Sequence, residues 1–184
     1  MTFFKKLNLL HDLPFFPSSD LMQSFGEDTG HGWQGISYYS AHPRVVNKVL
    51  TTLPADYRSK FSVSLMIINQ MELPAHTDNG ILVSVNFYIE TAGAITKFHK
   101  VKTGQQAKTR KLENQDDGAI FDADCLDLVG EFKANKNEVW VLNVKEPHSV
   151  SCSTNSIRTA YCLQSNVVSY EQTLNITRRI EERG

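Results

Sequence analysis

Two side chains that can bind a metal ion lie two positions apart in the segment PAHTDNG, residues 74–80. Alternate side chains of an extended strand point to the same side, so His76 and Asp78 can converge where a strand ends. Imidazole and carboxylate groups are the ligands of mononuclear non-haem iron, which takes two histidines and one carboxylate and keeps its other positions open. The spacing therefore predicts two of three iron ligands and requires a second histidine from elsewhere in the chain.

His148 is the candidate for that second histidine. It follows the strand-like segment EVWVLNVKEP and precedes SVSC, so it also lies at the edge of predicted β structure. Arg158 stands near the start of the next strand-like segment, RTAYCLQS, on a face whose neighbours are small, which leaves it room to reach inward. The alternative for the first pair is a plain turn, because Asp ahead of Asn-Gly is common in turns. The combination of all four residues favours the metal site.

Together these residues resemble the metal and co-substrate pattern of the Fe(II)/2-oxoglutarate-dependent oxygenases, in the prolyl-hydroxylase-like branch, over residues 61–165. The resemblance implies a double-stranded β-helix in which Arg158 pairs with the 5-carboxylate of 2-oxoglutarate, a role that the planar guanidinium fork suits. It makes Tyr88 a weaker candidate for the same role, and O₂ the other co-substrate. The implied iron ligands are His76, Asp78 and His148.

Further matches and departures refine this resemblance. The segment GAITKF, residues 93–98, is similar to the Gly-x-x-Thr-x-Phe strand of the prolyl-hydroxylase-like branch. Plant-type members carry Arg-x-Ser, whereas here the third residue is Ala160, so one hydroxyl contact to the co-substrate is missing or supplied elsewhere. Halogenating relatives have a small residue where this chain has Asp78. The carboxylate therefore implies hydroxylation or another oxidation.

The elements that must position these residues are predicted to be mainly β-strands. From residue 61 onward, short segments rich in β-branched and aromatic residues are separated by turn formers. In ILVSVNFYIE the apolar side chains share one face, and Ser84, Asn86 and Tyr88 share the other. Residues 1–60 are predicted to form short helices and loops, with one helix at 18–25 and another beginning at Pro43. The five strand-like segments are FSVSLMIIN, ILVSVNFYIE, AITKFHKV, EVWVLNV and RTAYCLQS.

This order of elements predicts one mostly β domain with flanking helices, a double-stranded β-helix of the jelly-roll, cupin-like type. Residues 1–184 form the single domain, with 1–60 as N-terminal support, 61–165 as the jelly-roll core and 166–184 as a C-terminal tail. The polar segment 102–118 is predicted to be an exposed loop. A lid over the site is the alternative for that segment.

Composition narrows the class of protein. The chain has 184 residues, a formal net charge of −1, 41% hydrophobic residues and 21% charged residues, which is ordinary for a globular domain. The charge predicts no nucleic-acid partner, and no apolar run approaches the roughly 20 residues of a membrane span. Three cysteines without CxxC spacing favour a reducing compartment. We therefore expect a cytoplasmic protein with a small-molecule or peptide/protein substrate.

Two other classes of protein stay open at this point. A cupin-type metalloenzyme could use the same metal triad without 2-oxoglutarate, and it would then have no need of Arg158. A non-catalytic jelly-roll binding module would tolerate the loss of His76 or Asp78. The sequence does not identify the primary substrate or the oligomeric state.

Overall fold

The computed structural model describes residues 2–16, 36–69, 72–78, 80–111, 119–152 and 157–181. Within these ranges the chain forms twelve strands and three α-helices. The strands are β1 (Phe4–Leu10), β2 (Ile36–Ser40), β3 (Ser62–Ile68), β4 (Glu72–Thr77), β5 (Val83–Glu90), β6 (Ile95–Val101), β7 (Thr109–Lys111), β8 (Ala119–Phe121), β9 (Leu126–Lys133), β10 (Glu138–Leu142), β11 (His148–Ser151) and β12 (Arg158–Ser165). The helices are α1 (Pro43–Leu50), α2 (Ala55–Arg58) and α3 (Tyr170–Glu181).

The strands form two six-stranded antiparallel sheets. Sheet A has the order β1-β10-β5-β12-β3-β2, and sheet B has the order β7-β8-β4-β11-β6-β9. From β3 to β6, and again from β9 to β12, consecutive strands alternate between the two sheets. In each sheet, strands of the first run therefore lie beside strands of the second run. This is the topology of a double-stranded β-helix, so the predicted mostly β, jelly-roll fold is confirmed.

The central strands of sheet A, such as β5 and β12, are buried on both faces. On the outer face of the sheet Val85 and Phe87 of β5 join the apolar cluster that contains Val49 of α1. On its inner face Tyr88 belongs to a second cluster that includes Phe98 of sheet B. The alternation predicted for ILVSVNFYIE is thus confirmed, because each face of β5 meets a different layer. The inner layer between the two sheets is where a ligand site can form.

The N-terminal region differs from the predicted helices and loops, because β1 and β2 are strands at the two edges of sheet A. β1 pairs with β10, and β2 pairs with β3 along its whole length. Of the seven residues in β1 only Leu7 is fully buried. An edge strand with an exposed side carries many polar residues, so its apolar alternation is weak and the sequence pattern hides it.

The helices agree in part with the prediction. α1 begins at Pro43 as predicted, and the ring nitrogen Nδ1 of His42 accepts a hydrogen bond from the Arg44 backbone at 3.2 Å. The C-terminal tail contains α3, which the sequence pattern did not reveal. The predicted helix at 18–25 lies outside the described residues. No described helix combines the length and apolarity that crossing a membrane requires.

The polar segment 102–118 is only partly a loop. Its residues 109–111 form β7, which pairs with β8, and β8 in turn pairs with β4 at His76 and Thr77. Residues 112–118 lie outside the described part of the chain. The segment is therefore joined through β8 to the strand that carries His76.

Glu138 of β10 connects that strand to the edge strand β1. Its side chain is 8% exposed and accepts hydrogen bonds from Lys6 Nζ at 2.6 Å and Trp140 Nε1 at 3.0 Å. The backbone and side-chain nitrogens of Asn135 each donate to it at 3.0 Å. Burial opposes its ionisation, but the bonds from Lys6, Asn135 and Trp140 outweigh burial and lower the pKa of Glu138 to about 2.

We expect Glu138→Gln to lower the free energy of unfolding at pH 7 by about 1–3 kcal/mol, because charged, buried hydrogen bonds are lost. The folded pKa lies below the ordinary value of 4.5, so the ionised carboxylate stabilises the native state above that pH. That contribution disappears as the pH falls toward 2. Urea unfolding at pH 7 and pH 3 should therefore show that wild type and variant differ less in free energy of unfolding at pH 3 than at pH 7. The exposed Glu131→Gln variant is the control; an equal difference at both pH values would contradict the prediction.

Candidate metal centre

The structure brings the three predicted metal ligands to one point. His76 of β4 and His148 of β11 are directly paired across adjacent strands of sheet B, with their ring centroids 4.2 Å apart. Asp78 follows the end of β4, where its backbone N–H donates to the carbonyl of Val144 at 3.1 Å. One potential ligand atom from each of the three side chains lies within 4.8 Å of the others.

Hydrogen bonds fix which ring nitrogen of each histidine faces Asp78. His76 Nδ1 lies 2.8 Å from the carbonyl of Pro74, and His148 Nδ1 lies 3.0 Å from the carbonyl of Glu146. A carbonyl oxygen only accepts, so each Nδ1 is the donor and carries the hydrogen. Each Nε2 therefore points toward Asp78, with Nε2 to Oδ1 distances of 3.5 Å from His76 and 3.4 Å from His148. This is the arrangement that orients metal-binding imidazoles.

The electrostatics of the cluster suit a cation. Burial and the neighbouring His148 lower the pKa of His76, so this imidazole resists taking up a second proton. Burial also opposes ionisation of Asp78, but His148 and His76 outweigh it and hold the pKa of the carboxyl well below its ordinary value. Two imidazole nitrogens and a carboxylate oxygen thus converge as electron-pair donors. That donor set fits a divalent transition-metal ion such as Fe(II).

Arg158 faces the same cavity between the sheets as the three ligands. It is the first residue of β12 and only 3% exposed. Its Nη2 donates to the hydroxyl of Tyr88 at 2.6 Å, and its Nη1 has no hydrogen-bond partner. Within the described part of the chain, no carboxylate forms an ion pair with this guanidinium. Arg158 is therefore a buried positive charge available to an anionic ligand.

Tyr88 lies behind Arg158 and is not among the described residues that line the cavity. Its ring centroid is 4.9 Å from the guanidinium carbon, and its hydroxyl also accepts from Asn86 at 3.4 Å. The structure thus places Tyr88 as a support for Arg158. Of the five residues predicted for the site, the other four line the cavity.

Ile36 and Tyr38 of the cavity wall lie on β2, a strand that was not predicted from the sequence. Tyr38 pairs with Met66 and Ile36 with Ile68, so β2 extends the inner face of sheet A. Burial, together with the charge of Asp78, raises the pKa of Tyr38 well above its ordinary value. In the sequence, only the short aromatic run ISYYS indicates this strand. That run lies outside residues 61–165, the region of the resemblance.

No family model matches the chain, and no curated protein matches it. Among solved structures, vicilin from hazelnut (Corylus avellana) shares 14% identity, covering 79% of this chain and 31% of its own, with a TM-score of 0.42. Vicilin from Solanum melongena shares 14% identity, covering 82% and 32%, with a TM-score of 0.43. Oxalate decarboxylase from Bacillus subtilis, which has Mn(II) centres, shares 10% identity, covering 72% and 26%, with a TM-score of 0.37.

The chain spans about a third of the length of these vicilins. With identities and TM-scores this low, the fold assignment rests on the strand order of the two sheets. The chain thus has a jelly-roll fold and a His-Asp-His cluster that could hold a metal ion.

Proposed function

We propose that this protein is an Fe(II)- and 2-oxoglutarate-dependent oxygenase that hydroxylates a peptide or protein side chain or a small molecule. One observation carries the proposal: the guanidinium of Arg158, whose Nη1 has no hydrogen-bond partner among the described residues, lies in the same cavity as a His-Asp-His cluster. A metal site alone does not need that positive charge. A dicarboxylate that binds the metal at one end needs it, because its other carboxylate requires a cationic partner.

The burial of Arg158 supports an anionic co-substrate. An unpaired charge in a protein interior is costly, and the cost falls when a carboxylate pairs with it. The guanidinium can bind a carboxylate through two parallel hydrogen bonds, which fixes the direction of the bound molecule. Tyr88 holds one nitrogen of Arg158 in place, while Nη1 remains available. Arg158 is therefore suited to the 5-carboxylate of 2-oxoglutarate.

The other residues hold the metal and limit the access of water. His76, Asp78 and His148 would bind Fe(II), which together with 2-oxoglutarate supplies O₂ activation for hydroxylation. Phe98 stacks on the imidazole of His148 with centroids 5.6 Å apart, which restricts that ring. Apolar side chains line much of the cavity, which favours the exclusion of water and so strengthens electrostatic interactions inside. They include Ile68, Leu73, Leu142 and Val150.

The second candidate is a cupin-type metalloenzyme that does not use 2-oxoglutarate. The His-Asp-His cluster alone supports it, because that cluster requires no co-substrate. In such an enzyme Arg158 would bind a different anion or none. A non-catalytic jelly-roll module is the third candidate, and it would not depend on the metal.

An anaerobic titration separates these candidates. Fe(II) is added to metal-stripped protein, then 2-oxoglutarate, while the visible absorption is recorded. We expect a broad charge-transfer band that requires both additions, because chelation needs the 2-oxo group and the adjacent carboxylate. Glutarate, which lacks the 2-oxo group, is the matched control and should give no band. Iron binding without a band would favour the cupin-type enzyme, and absence of iron binding would favour the binding module.

A further inference from the structure

Beyond Arg158, the inner face of sheet A carries a group of uncharged polar side chains. Gln164 and Ser84 are paired across β12 and β5, and Asn86 and Cys162 form the next pair on the same face of these strands. All four residues line the cavity. Arg158 and Gln164 lie near opposite ends of β12. The cavity therefore has a charged end at Arg158 and an uncharged polar end at Ser84 and Gln164.

The uncharged end lies on the Asp78 side of the cavity. Ser84 pairs with Leu142, the last residue of β10, and Val144 just beyond it accepts the hydrogen bond from the Asp78 backbone. Asp78 thus lies toward the Ser84–Gln164 end, and Arg158 begins β12 at its other end. A molecule that extends from the metal to Arg158 therefore runs away from the Ser84–Gln164 pair and leaves that end unfilled.

The three polar side chains are partly bonded to their neighbours: Asn86 Nδ2 donates to the Tyr88 hydroxyl at 3.4 Å. Ser84 donates to Asn86 Oδ1 at 2.6 Å, and both residues are almost fully buried. Ser64 donates to Gln164 Oε1 at 3.4 Å. Gln164 is only half-buried, and its Nε2 donates to no group in the described part of the chain. Its amide hydrogens are thus available to a carbonyl oxygen of a bound molecule.

Charge balance restricts what can bind there. Among the described residues that line the cavity, the fixed charges are those of Asp78 and Arg158. With Fe(II) and 2-oxoglutarate bound, the positive charges of the metal and Arg158 are balanced by Asp78 and the two carboxylates of the keto acid. A further buried charge would have no partner, which is unfavourable. An uncharged group that forms hydrogen bonds has no such cost.

We propose that Ser84, Asn86 and Gln164 bind an uncharged carboxamide group of the primary substrate, and that Gln164 selects it over charged analogues. A carboxamide has a carbonyl oxygen for the Gln164 N–H groups and N–H donors for hydroxyl or amide oxygens. Leu142 and Val144 give apolar contact to the attached aliphatic carbons. This proposal rests on the proposed function, because it assumes a site already loaded with metal and keto acid.

The test measures the binding of three small probes to the anaerobic Fe(II)–2-oxoglutarate complex. Isobutyramide and isobutyrate have nearly the same shape and differ in charge, and isobutylammonium adds the opposite charge. Binding is read from the shift of the charge-transfer band, without turnover. We expect isobutyramide to bind about tenfold more tightly than either ion. In Gln164→Glu we expect isobutyramide to bind less tightly than it does to the wild type. We expect isobutylammonium to bind this variant more tightly than isobutyramide does.

Gln105→Glu is the control, because it adds the same charge at an exposed loop position and should leave the selectivity unchanged. Equal binding of the three probes, no binding of the amide, or unchanged selectivity in Gln164→Glu would each overturn the proposal. In those cases the band still forms and the proposed function stands. If the band itself does not form in the wild type, the proposed function fails first, and the carboxamide site fails with it.

Discussion

Replacing Asp78 by alanine is expected to abolish stoichiometric Fe(II) binding and with it 2-oxoglutarate consumption. Asp78 supplies the one carboxylate of the cluster and lies within 3.5 Å of both histidine Nε2 atoms. Changing residues behind a metal ligand already costs about 10–100-fold in affinity, so removing a ligand should cost more than about 100-fold. Equilibrium dialysis under argon measures the loss directly.

Thermal unfolding gives a second readout of the same change. Metal at about 100 times its Kd stabilises the native state by about 2.7 kcal/mol, which raises the Tm by roughly 5–10 °C in a domain of this size. We expect that increase in the wild type and in Asp127→Ala, which removes an exposed carboxylate from β9. Asp78→Ala should show none. Retention of the Tm increase in Asp78→Ala would remove Asp78 from the metal site.

Arg158→Leu is expected to lower the affinity for 2-oxoglutarate and to raise the stability of the ligand-free protein. Truncating one partner of a buried charge pair costs about 2–5 kcal/mol, so 2-oxoglutarate affinity should fall by about 100-fold. Without the keto acid, the same substitution removes a buried charge that has no ion-pair partner among the described residues. We therefore expect the free energy of unfolding of the ligand-free protein to rise by about 1–3 kcal/mol. Titration of the charge-transfer band and urea unfolding measure the two effects.

The controls for Arg158 separate charge from shape. Arg158→Lys keeps the charge but loses the bidentate fork, so it should recover only part of the affinity. Tyr88→Phe removes the hydroxyl that holds the guanidinium and should weaken binding by about tenfold. Arg44→Leu, at an exposed position of α1, should change neither quantity. If Arg158→Leu left the band titration unaltered, the cupin-type alternative would replace the oxygenase.

The central strands and most of the His-Asp-His cluster could be predicted because their patterns are local. β5 has helices on one face and sheet B on the other, so its sequence alternates between apolar and polar side chains. His76 and Asp78 likewise lie two positions apart at the end of one strand, so a short stretch of sequence is enough to recognise the pair. His148 was recognisable only in combination with them, because its pairing with His76 is a long-range contact.

The remaining strands could not be predicted, for physical reasons. β9 is an edge strand with most of its side chains exposed, so the segment LDLVGEFK shows no clear apolar face. β4 contains Pro74, which lacks an N–H donor and argues against a strand inside a sheet. β2 is five residues long, and its importance to the cavity follows only from its pairing with β3. The proposed carboxamide site was equally hidden, because serine, asparagine and glutamine have no distinctive spacing.

The position of β12 between β3 and β5 has a consequence for how the protein is made. Synthesis proceeds from the N-terminus, so β3 and β5 leave the ribosome well before the strand that joins them. Until residues 158–165 follow, both strands have an unpaired edge in the middle of the future sheet, where pairing with another chain is possible. β12 also carries Arg158. The same late event therefore closes the aggregation-prone edges and completes the proposed site for the keto acid.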